Sequence, residues 1–388
     1  MASVLDWALI IIYMLSMVGV GMYFKTDDSM QDFAVADKKL GLSVMTATML
    51  ATAVGGGALT GSVGNSYMNG IVEVPKIIIL LCINLFMGLF VAKKMRNIGG
   101  FTAPEMMGTG PAMQSIALGT CIHLLLGVNM KVGMIIGMAI ILAYTLSSGM
   151  WGVAMTDYVQ FIFLAGGVLL ATAIVYSGAG GWSGITSSVP AEHLQLDTSG
   201  AIKLICATSL PVLIDGNRYS RFFSAKDAKT AQISTLIAAI PQCLLLVMSL
   251  VMGLAAVVLL PADLPKDMVF ATLLMQYLPT GIKGLCIAAL MAAIMSTADS
   301  YMLSGATNIS VDIYKTYINP KATDKQMLIV TKGGILAVGL LGLCFALLLP
   351  DVMSVWTLSS TAYVGGCLVP MLYGIFGSGK KSYTGALI

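Results

Sequence analysis

Charged residues are scarce in this chain, because Asp, Glu, Lys and Arg together make up only 10% of its 388 residues, whereas 57% are hydrophobic. A soluble core cannot bury that much apolar surface, so the composition excludes an ordinary soluble domain and indicates a chain in lipid. The formal net charge is only +3. This balance gives no electrostatic support for a nucleic-acid partner, and we expect none.

Histidine is nearly absent, with only His123 and His193, and the seven cysteines occur singly. The sequence therefore has no HExxH zinc motif, no CxxC pair and no nucleophile beside a histidine base. It also shows no repeated filter segment of the kind that ion channels carry. These absences argue against a membrane-embedded enzyme and against a channel, and we expect a protein that is not an enzyme.

Long apolar runs dominate the sequence. A helix needs about 20 apolar residues to cross the hydrocarbon layer, and about eleven segments meet that criterion. They begin near residues 5, 43, 71, 106, 133, 158, 200, 233, 284, 328 and 354. This pattern predicts an all-α polytopic membrane protein. The loop 261–283 also holds a stretch, 268–277, that we interpret as an amphipathic helix on the membrane surface.

Basic residues fall in alternate loops, which predicts that those loops are cytoplasmic and that the N-terminus is outside. The residues that support this orientation are Lys93, Lys94, Arg96, Arg221, Lys226, Lys229, Lys315, Lys321, Lys325, Lys380 and Lys381. We therefore expect a multi-pass protein of the cell membrane, in contact with membrane lipid, and place it in a bacterial inner membrane.

Two segments contain helix breakers near their middle. Segment 43–66 has three glycines at 55–57, and segment 200–223 has Pro211 followed by Asp-Gly-Asn at 215–217. Unwound backbone is tolerated inside a bilayer only where it lines a cavity or binds something. The broken segments are the second and the seventh, so they must run in opposite directions, as in the inverted repeats of transporters. Glycine runs can also simply permit close helix packing.

A hydroxyl-bearing stretch follows in the segment that begins near 284. Ala293, Ser296 and Thr297 are spaced i, i+3 and i+4, so one carbonyl and two hydroxyls share a helical face. A monovalent cation could bind there if the carbonyls of Ala51 and Val54, in the first broken segment, completed its shell. Serine and threonine in helices also bond to carbonyls of the preceding turn and bind nothing, and spacing alone favours that reading.

Four separated motifs carry a resemblance to a known family: GGFTAPEMMG, YTLSSGMWGVAMTDYVQ, RYSRFFSAKDAKTA and MSTADSYMLSGATNISVDIYK. They are similar, in the family's own order, to motifs of the sodium/solute symporters, which carry proline, sugars, pantothenate or sialic acid. The resemblance implies a LeuT-type inverted-repeat core with an extra N-terminal helix. It also implies sodium-coupled import of a small organic solute by alternating access, with no protein partner required.

The resemblance divides the chain into parts of a single transmembrane domain, 1–388. We expect an extra helix at 5–24, a first core repeat at 43–177, a second at 200–376 and a short tail at 377–388. Between the FTAPE motif and Val128 the family has roughly twice as many residues. Either the third core helix is shortened here, or residues are absent from the sequence.

Carried over residue by residue, the resemblance also predicts an ion site. Its sodium ligands would be the carbonyls of Ala51, Val54 and Ala293 and the hydroxyls of Ser296 and Thr297. Asp157, in the TDYVQ motif, matches a family aspartate at the cytoplasmic side that is thought to help the ion leave. Without the resemblance, Asp157 would be interpreted as a solvated loop carboxylate.

Lys76 is an ionisable residue within an apolar segment, which marks it as a functional candidate. By the register of the resemblance, Lys76, Ile77, Ala58 and Asp215 lie near solute-contact positions, and Thr357 could line the same cavity. Lys76 could bind a solute carboxylate, which predicts an organic anion or amino acid, or it could pair with Asp215. Its amine could also reach the membrane interface.

An alternative function keeps the same fold. The chain could be a sodium-independent or proton-coupled transporter, or a sensor that transports nothing. Solute uptake with and without a sodium gradient separates these functions from sodium symport.

Overall fold

A computed structural model describes residues 2–24, 29–98, 109–349 and 352–377 of the chain. Within these residues the chain is helical, which confirms the all-α expectation, and it forms no sheet apart from one isolated parallel bridge between Leu40 and Ala225. The first eight helices are α1 Val4–Tyr23, α2 Met30–Val35, α3 Leu42–Ala53, α4 Gly56–Asn69, α5 Glu73–Phe86, α6 Ala92–Ile98, α7 Thr109–Leu126 and α8 Met130–Gly178. The remaining eight are α9 Gly181–Ser188, α10 Thr198–Thr208, α11 Gly216–Ser224, α12 Ala228–Leu259, α13 Lys266–Tyr277, α14 Ile282–Thr307, α15 Asp324–Leu348 and α16 Val352–Phe376.

Seven helical stretches in the described part are long and apolar enough to cross a membrane, or eight if one bent pair counts as a single span. The chain is therefore a multi-pass membrane protein. The number is lower than the eleven or so segments expected from the length criterion. One reason is that the first broken segment is divided, so that its α3 half has only 12 residues.

The first break lies where the glycine run predicts it. Helix α3 ends at Ala53, Val54 leaves the helical region with φ −111° and ψ 52°, and α4 begins at Gly56. The N-terminal end of α4 and the C-terminal end of α3 therefore meet at this point. Such opposed ends expose backbone N–H and C=O groups that no helix satisfies internally.

The second break also lies where it was predicted. Helix α10 ends at Thr208, a 3₁₀ turn covers Leu210–Ile214, and α11 begins at Gly216. Pro211 has no N–H to continue the α-helical bonding. Asp215 then caps α11, because its Oδ1 accepts a hydrogen bond from the Asn217 N–H at 3.1 Å.

The two broken helices are joined at the far side from their breaks. The Leu40 N–H, just before α3, donates to the Ser224 carbonyl at the end of α11, at 3.1 Å, and the Lys226 N–H donates to the Leu40 carbonyl at 3.0 Å. The beginning of one broken helix thus lies beside the end of the other. This is the arrangement expected of helices that run in opposite directions.

Helix α14 forms the centre of the bundle. It contacts α1, α7, α8 and α15, and every side chain from Cys286 to Thr307 is buried. A helix that is covered on all sides is held in one position by its neighbours, and interiors packed in this way deform little. Helix α14 is therefore a fixed platform for the hydroxyls of Ser296 and Thr297.

The region of the fourth to sixth predicted segments, which begin near 106, 133 and 158, differs in detail from expectation. Helices α7 and α8 meet at a bend of 116° near Gly127, and α8 is kinked at Gly149, where φ is 60°. The segment expected to begin near 158 therefore begins at Gly149, since that backbone conformation strongly favours glycine. Helix α7 has 18 residues, but the FTAPE motif before it lies outside the described residues, so a shortened third core helix stays a prediction.

The expected surface helix at 268–277 is a covered helix instead. Helix α13 packs against α4, and its side chains from Val269 to Leu274 are buried. The approach is close, because a Cβ on Gly64 of α4 would overlap the backbone carbonyl of Lys266. The expectation of an amphipathic helix was wrong, since consecutive side chains of α13 are buried rather than a single stripe.

Candidate ion and solute site

Oxygen atoms from the first break and from α14 converge. The Ser296 Oγ lies 3.0 Å from the Ala51 carbonyl oxygen and 3.1 Å from that of Ala293. The Thr297 Oγ1 lies 3.3 Å from the Thr52 carbonyl oxygen and 3.1 Å from that of Ala293. We call these five oxygens, from Ala51, Thr52, Ala293, Ser296 and Thr297, the oxygen cluster. Its atoms are neutral hydroxyls and carbonyls, which are hard ligands suited to a hard cation.

Val54 completes the end of α3 beside this cluster. Its side chain is fully buried, and it is the first residue after the helix, so its carbonyl is not used by α3. The bonds from Ser296 and Thr297 to Ala293 also match the alternative in which the hydroxyls bond within their own helix. That alternative does not require the same two hydroxyls to lie close to the Ala51 and Thr52 carbonyls, which belong to another helix.

Glycine permits the approach of the break to α14. A Cβ on Gly55 would overlap the side chain of Thr297, and one on Gly56 would overlap the side chain of Ile294. Neither glycine has a positive φ, so the requirement is steric rather than conformational. The glycine run predicted as a helix break therefore also brings the backbone into contact with α14.

A buried ion pair lies next to the oxygen cluster. The Arg221 Nη2 is 3.1 Å from the Asp157 Oδ2, and the two side chains are 2% and 0% exposed. The same nitrogen donates to the Thr52 Oγ1 at 2.5 Å and to the Ser300 Oγ at 2.6 Å. Thr48 also bonds to Asp157 and to Arg221. The pair thus joins α3, α8, α11 and α14.

Thr52 and Ser300 connect the ion pair to the oxygen cluster. Thr52 offers its carbonyl to Thr297 and its hydroxyl to Arg221. Ser300 accepts from Arg221 and donates to the Ser296 carbonyl at 2.7 Å. A movement of the ion pair would therefore displace the oxygen cluster, and the reverse, through these two shared residues.

A cavity of about 90 Å³ lies between the two breaks. Its described lining residues are Thr52, Ala53, Gly55, Gly57, Ala58, Gly61, Ser62, Glu73, Lys76, Leu80, Gln114, Leu204, Thr208, Val212, Asp215, Arg218, Gln242, Leu246, Thr297 and Tyr301. The cavity thus receives residues from both halves of the chain. Such a concave site, with a few charged groups on a mostly neutral wall, is the usual form of a small-molecule site.

Lys76 faces this cavity and is paired with Glu73, one turn earlier on α5. Its Nζ lies 2.6 Å from the Glu73 Oε2 and donates to the Ser62 Oγ at 2.9 Å. The Glu73 Oε1 accepts from the Asn65 Nδ2 at 2.7 Å. The alternative in which Lys76 pairs with Asp215 was therefore wrong, because a nearer carboxylate on its own helix already takes that place.

Asp215 also lines this cavity and has a different partner. The Arg218 Nε is 3.8 Å from the Asp215 Oδ2, too far for a hydrogen bond. Arg218 is held back by two amide oxygens, since its Nη1 donates to the Asn84 Oδ1 and its Nη2 to the Gln242 Oε1. The lining of the cavity therefore includes two charged pairs, one on α5 and one at the second break.

The comparison with protein families decides the assignment. The family model described as "Sodium:solute symporter family" matches residues 111–388, more than half of the chain. The chain belongs to the sodium:solute symporter family. Members of this family are transporters rather than enzymes, which confirms the expectation that the chain is not an enzyme.

Curated relatives in the family are moderately similar to this chain. A high-affinity choline transporter of Caenorhabditis elegans is 27% identical over 84% of this chain and 64% of its own length. The corresponding transporter of Drosophila melanogaster is 25% identical over 86% of this chain and 60% of its own length. A sodium/glucose cotransporter of Vibrio parahaemolyticus is 26% identical over 84% and 71%. The match thus spans less than two thirds of the two choline transporters.

A solved structure shows the fold. A Na⁺-coupled sialic acid symporter, in a substrate-bound outward-open state, matches with a TM-score of 0.79 and 18% identity. The match covers 97% of this chain and 87% of that one. The expected LeuT-type inverted-repeat core with an extra N-terminal helix is thereby confirmed. The division of the symporter-family chain into residue ranges stays a prediction.

The remaining predicted site residues are placed as follows. Ala58 lines the cavity, as expected. Ile77 does not, because it packs with Leu80, Cys243 and Leu246 between α5 and α12. The side chain of Thr357 lies outside the described part of the structure.

Sequence reasoning missed two residues of this symporter-family site. Arg221 was counted as a cytoplasmic loop charge, yet it is 1% exposed and lies within α11. The signal that could have found it is the spacing of Arg218 and Arg221, three residues apart after a helix break in a membrane segment. Glu73 could have been found from its spacing, because it lies three residues before Lys76 and so shares a helical face with it.

Substitution of Gly55 by alanine tests the close approach. The backbone of Gly55, with φ −68° and ψ 168°, suits alanine, so any effect must come from overlap with Thr297. We expect Gly55→Ala to destabilise the protein by about 1–3 kcal/mol and to weaken any sodium-dependent thermal shift. Gly166→Ala on α8 is the control, because nothing lies within 4 Å of its new Cβ. An unchanged Gly55→Ala protein would contradict this close packing.

Proposed function

We propose that this chain imports a small organic solute across a cell membrane, the inner membrane of a bacterium, together with sodium. Alternating access between the two halves of the LeuT-type core moves both cargoes. The partners are the solute, sodium and the surrounding lipid, and no protein partner is required. Membership of the sodium:solute symporter family supports this function at the level of the class.

One observation carries the sodium assignment. The Ser296 and Thr297 hydroxyls approach the Ala51 and Thr52 carbonyls of a helix that is unwound at that point. Irregular backbone is tolerated inside a bilayer only where its polar groups line a cavity or bind something. We assign the sodium ligands to Ala51, Val54 and Ala293 through their carbonyls and to Ser296 and Thr297 through their hydroxyls.

Shared residues give a physical route for coupling. Thr52, Gly55 and Thr297 line the solute cavity and also belong to the break and helix that form the oxygen cluster. A cation that draws the Ala51 and Thr52 carbonyls towards α14 would fix one wall of the cavity. Solute would then bind more tightly with sodium than without it, and the coupling must be reciprocal.

Lys76 is assigned to the solute. Two of its three ammonium protons are used, by Glu73 and Ser62. The third is available for a solute oxygen, and a carboxylate would be its strongest acceptor. We therefore propose a carboxylate-bearing solute or an amino acid, with Ala58 and Asp215 as further contacts.

Asp157 is assigned to ion exit. Its Oδ1 is buried and has no hydrogen-bond partner among the described residues. Its Oδ2 is tied to Arg221, next to the oxygen cluster. We assign this carboxylate oxygen to the departing sodium ion, and separation of the Asp157–Arg221 pair would open the way towards the cytoplasm.

Thermal stability in sodium against potassium tests the proposal. An ion that binds only the folded state raises the stability of that state, so sodium should raise the midpoint of thermal unfolding and potassium should not. Uptake into proteoliposomes should then require an inward sodium gradient. Uptake without sodium, or with a proton gradient alone, would support the alternative transporter, and sodium binding without uptake of any solute would support a sensor.

A further inference from the structure

The described walls of the central cavity carry balanced charge. Lys76 and Arg218 are the cations, and Glu73 and Asp215 are the anions. Each cation has a carboxylate within 4 Å, so no wall charge is left over. A solute with a net charge would therefore enter a desolvated cavity without a compensating wall charge, which is costly.

The two pairs differ in which member is the more exposed. In the α5 pair the cation is more exposed, at 11% for Lys76 against 1% for Glu73. In the pair at the second break the anion is more exposed, at 19% for Asp215 against 9% for Arg218. The more exposed charges in the lining are thus a positive group from α5 and a negative group from the second break.

The unused hydrogen-bonding capacity has the same arrangement. Both oxygens of Glu73 are occupied, by Lys76 and by Asn65. The Asp215 Oδ1 accepts from the Asn217 N–H, whereas its Oδ2 has only Arg218 at 3.8 Å. The free donor of Lys76 and the free acceptor Oδ2 of Asp215 therefore come from opposite halves of the chain.

Resting on the proposed symport, we infer that the solute is a small zwitterion, with its carboxylate on Lys76 and its ammonium on Asp215, and that Glu73 is the residue that rejects anions. Glu73 acts as a positioning and charge-balancing residue. It holds Lys76 in place and cancels the positive charge that would otherwise attract any carboxylate.

Two further features agree with a small zwitterion. The cavity volume of about 90 Å³ is well below the roughly 300 Å³ at which pockets for drug-sized ligands begin. Tyr301 is the one aromatic residue among its described lining residues. Quaternary ammonium ions are usually bound by cages of several aromatic rings, so this wall does not favour such a cation.

Matched probes test the charge preference. We would measure thermal shifts in sodium with L-alanine, propionate and ethylamine, and with L-proline, cyclopentanecarboxylate and pyrrolidine. Each triad keeps the carbon skeleton and changes the charge from zwitterion to anion to cation. The wild-type chain should be stabilised by at least one zwitterion and by neither the anion nor the cation of that triad.

Three variants test the assigned roles with the same probes. Glu73→Gln should raise the affinity for the anion by about tenfold or more relative to the zwitterion, because one wall charge is removed. Asp215→Asn and Lys76→Gln should each weaken binding of the zwitterion, because the first removes the partner of its ammonium and the second removes the partner of its carboxylate. Asp37→Asn is the control, since it removes an exposed carboxylate that is paired with Lys39 and does not line the cavity.

The outcomes separate this inference from the proposed symport. Sodium-dependent stabilisation by choline, glucose or an anion, with no response to any zwitterion, would overturn the zwitterion assignment and leave sodium symport standing. A chain that responds to no probe, but is still stabilised by sodium, would overturn it as well. Absence of any sodium effect would instead refute the proposed function. If Glu73→Gln fails to fold, the thermal shift of Asp215→Asn with the zwitterion tests the inference instead.

Discussion

Replacement of Arg221 by alanine is expected to destabilise the protein by about 3–5 kcal/mol, because it leaves the Asp157 carboxylate buried and uncompensated. Asp157 is fully buried, and Arg221 also donates to Thr48, Thr52 and Ser300. The loss would be seen as a large drop in the midpoint of thermal unfolding in detergent. Because Thr52 and Ser300 also belong to the surroundings of the oxygen cluster, sodium stabilisation should fall too.

A double variant identifies the cause of that loss. Adding Asp157→Asn to Arg221→Ala removes the orphaned charge, so the double variant should be more stable than Arg221→Ala alone, a coupling that a mutant cycle measures. Lys39→Ala is a control with little expected effect, because Lys39 pairs with Asp37 while 70% of its side chain is exposed. If the double variant were the less stable one, the buried charge would not be the cause.

Local signals in the sequence predicted the two helix breaks. Glycines at 55–57 and Pro211 with Asp-Gly at 215–216 act on the backbone of their own residues, and nothing distant is needed to interpret them. The i, i+3, i+4 spacing of Ala293, Ser296 and Thr297 is local in the same sense. Backbone conformation and helical register therefore located both the breaks and the oxygen-bearing face of α14.

Partner choice across helices could not be predicted in this way. One alternative paired Lys76 with Asp215, more than a hundred residues away, although Glu73 lies one turn before Lys76 on the same helix. Arg221 was assigned to a loop because lysine and arginine counts treat every basic residue near a helix end alike. Which charges pair depends on how helices pack, and packing is set by the whole bundle rather than by the local pattern.

The environment of α13 shows the same limit. Its sequence has the length and composition of a helix, and it is one. Its position against α4 depends on Gly64, whose missing side chain leaves room for the Lys266 backbone. A glycine that permits contact with a segment two hundred residues away carries no sign of that contact in the sequence.

Removal of the Thr297 hydroxyl is expected to abolish most of the sodium-dependent stability. Loss of an outer-shell partner costs metal sites about 10- to 100-fold in affinity, and loss of a direct ligand should cost at least as much. At a sodium concentration of about 100 times the wild-type Kd, a 100-fold loss would reduce the stabilisation from about 2.7 to about 0.4 kcal/mol. Titration of the thermal midpoint with sodium measures this change, and Ser296→Ala should behave in the same way.

Thr307→Ala is the matched control for Thr297→Ala. Thr307 lies on the same helix, is 3% exposed, and donates to the Leu303 carbonyl within α14 at 2.7 Å. Both substitutions remove a buried hydroxyl that bonds to its own helix, but only Thr297 also approaches a carbonyl of the broken helix α3. Thr307→Ala should therefore leave the sodium titration unchanged. Equal sodium responses in the two variants would mean that the Thr297 hydroxyl only satisfies its own helix, and the ion assignment would fail.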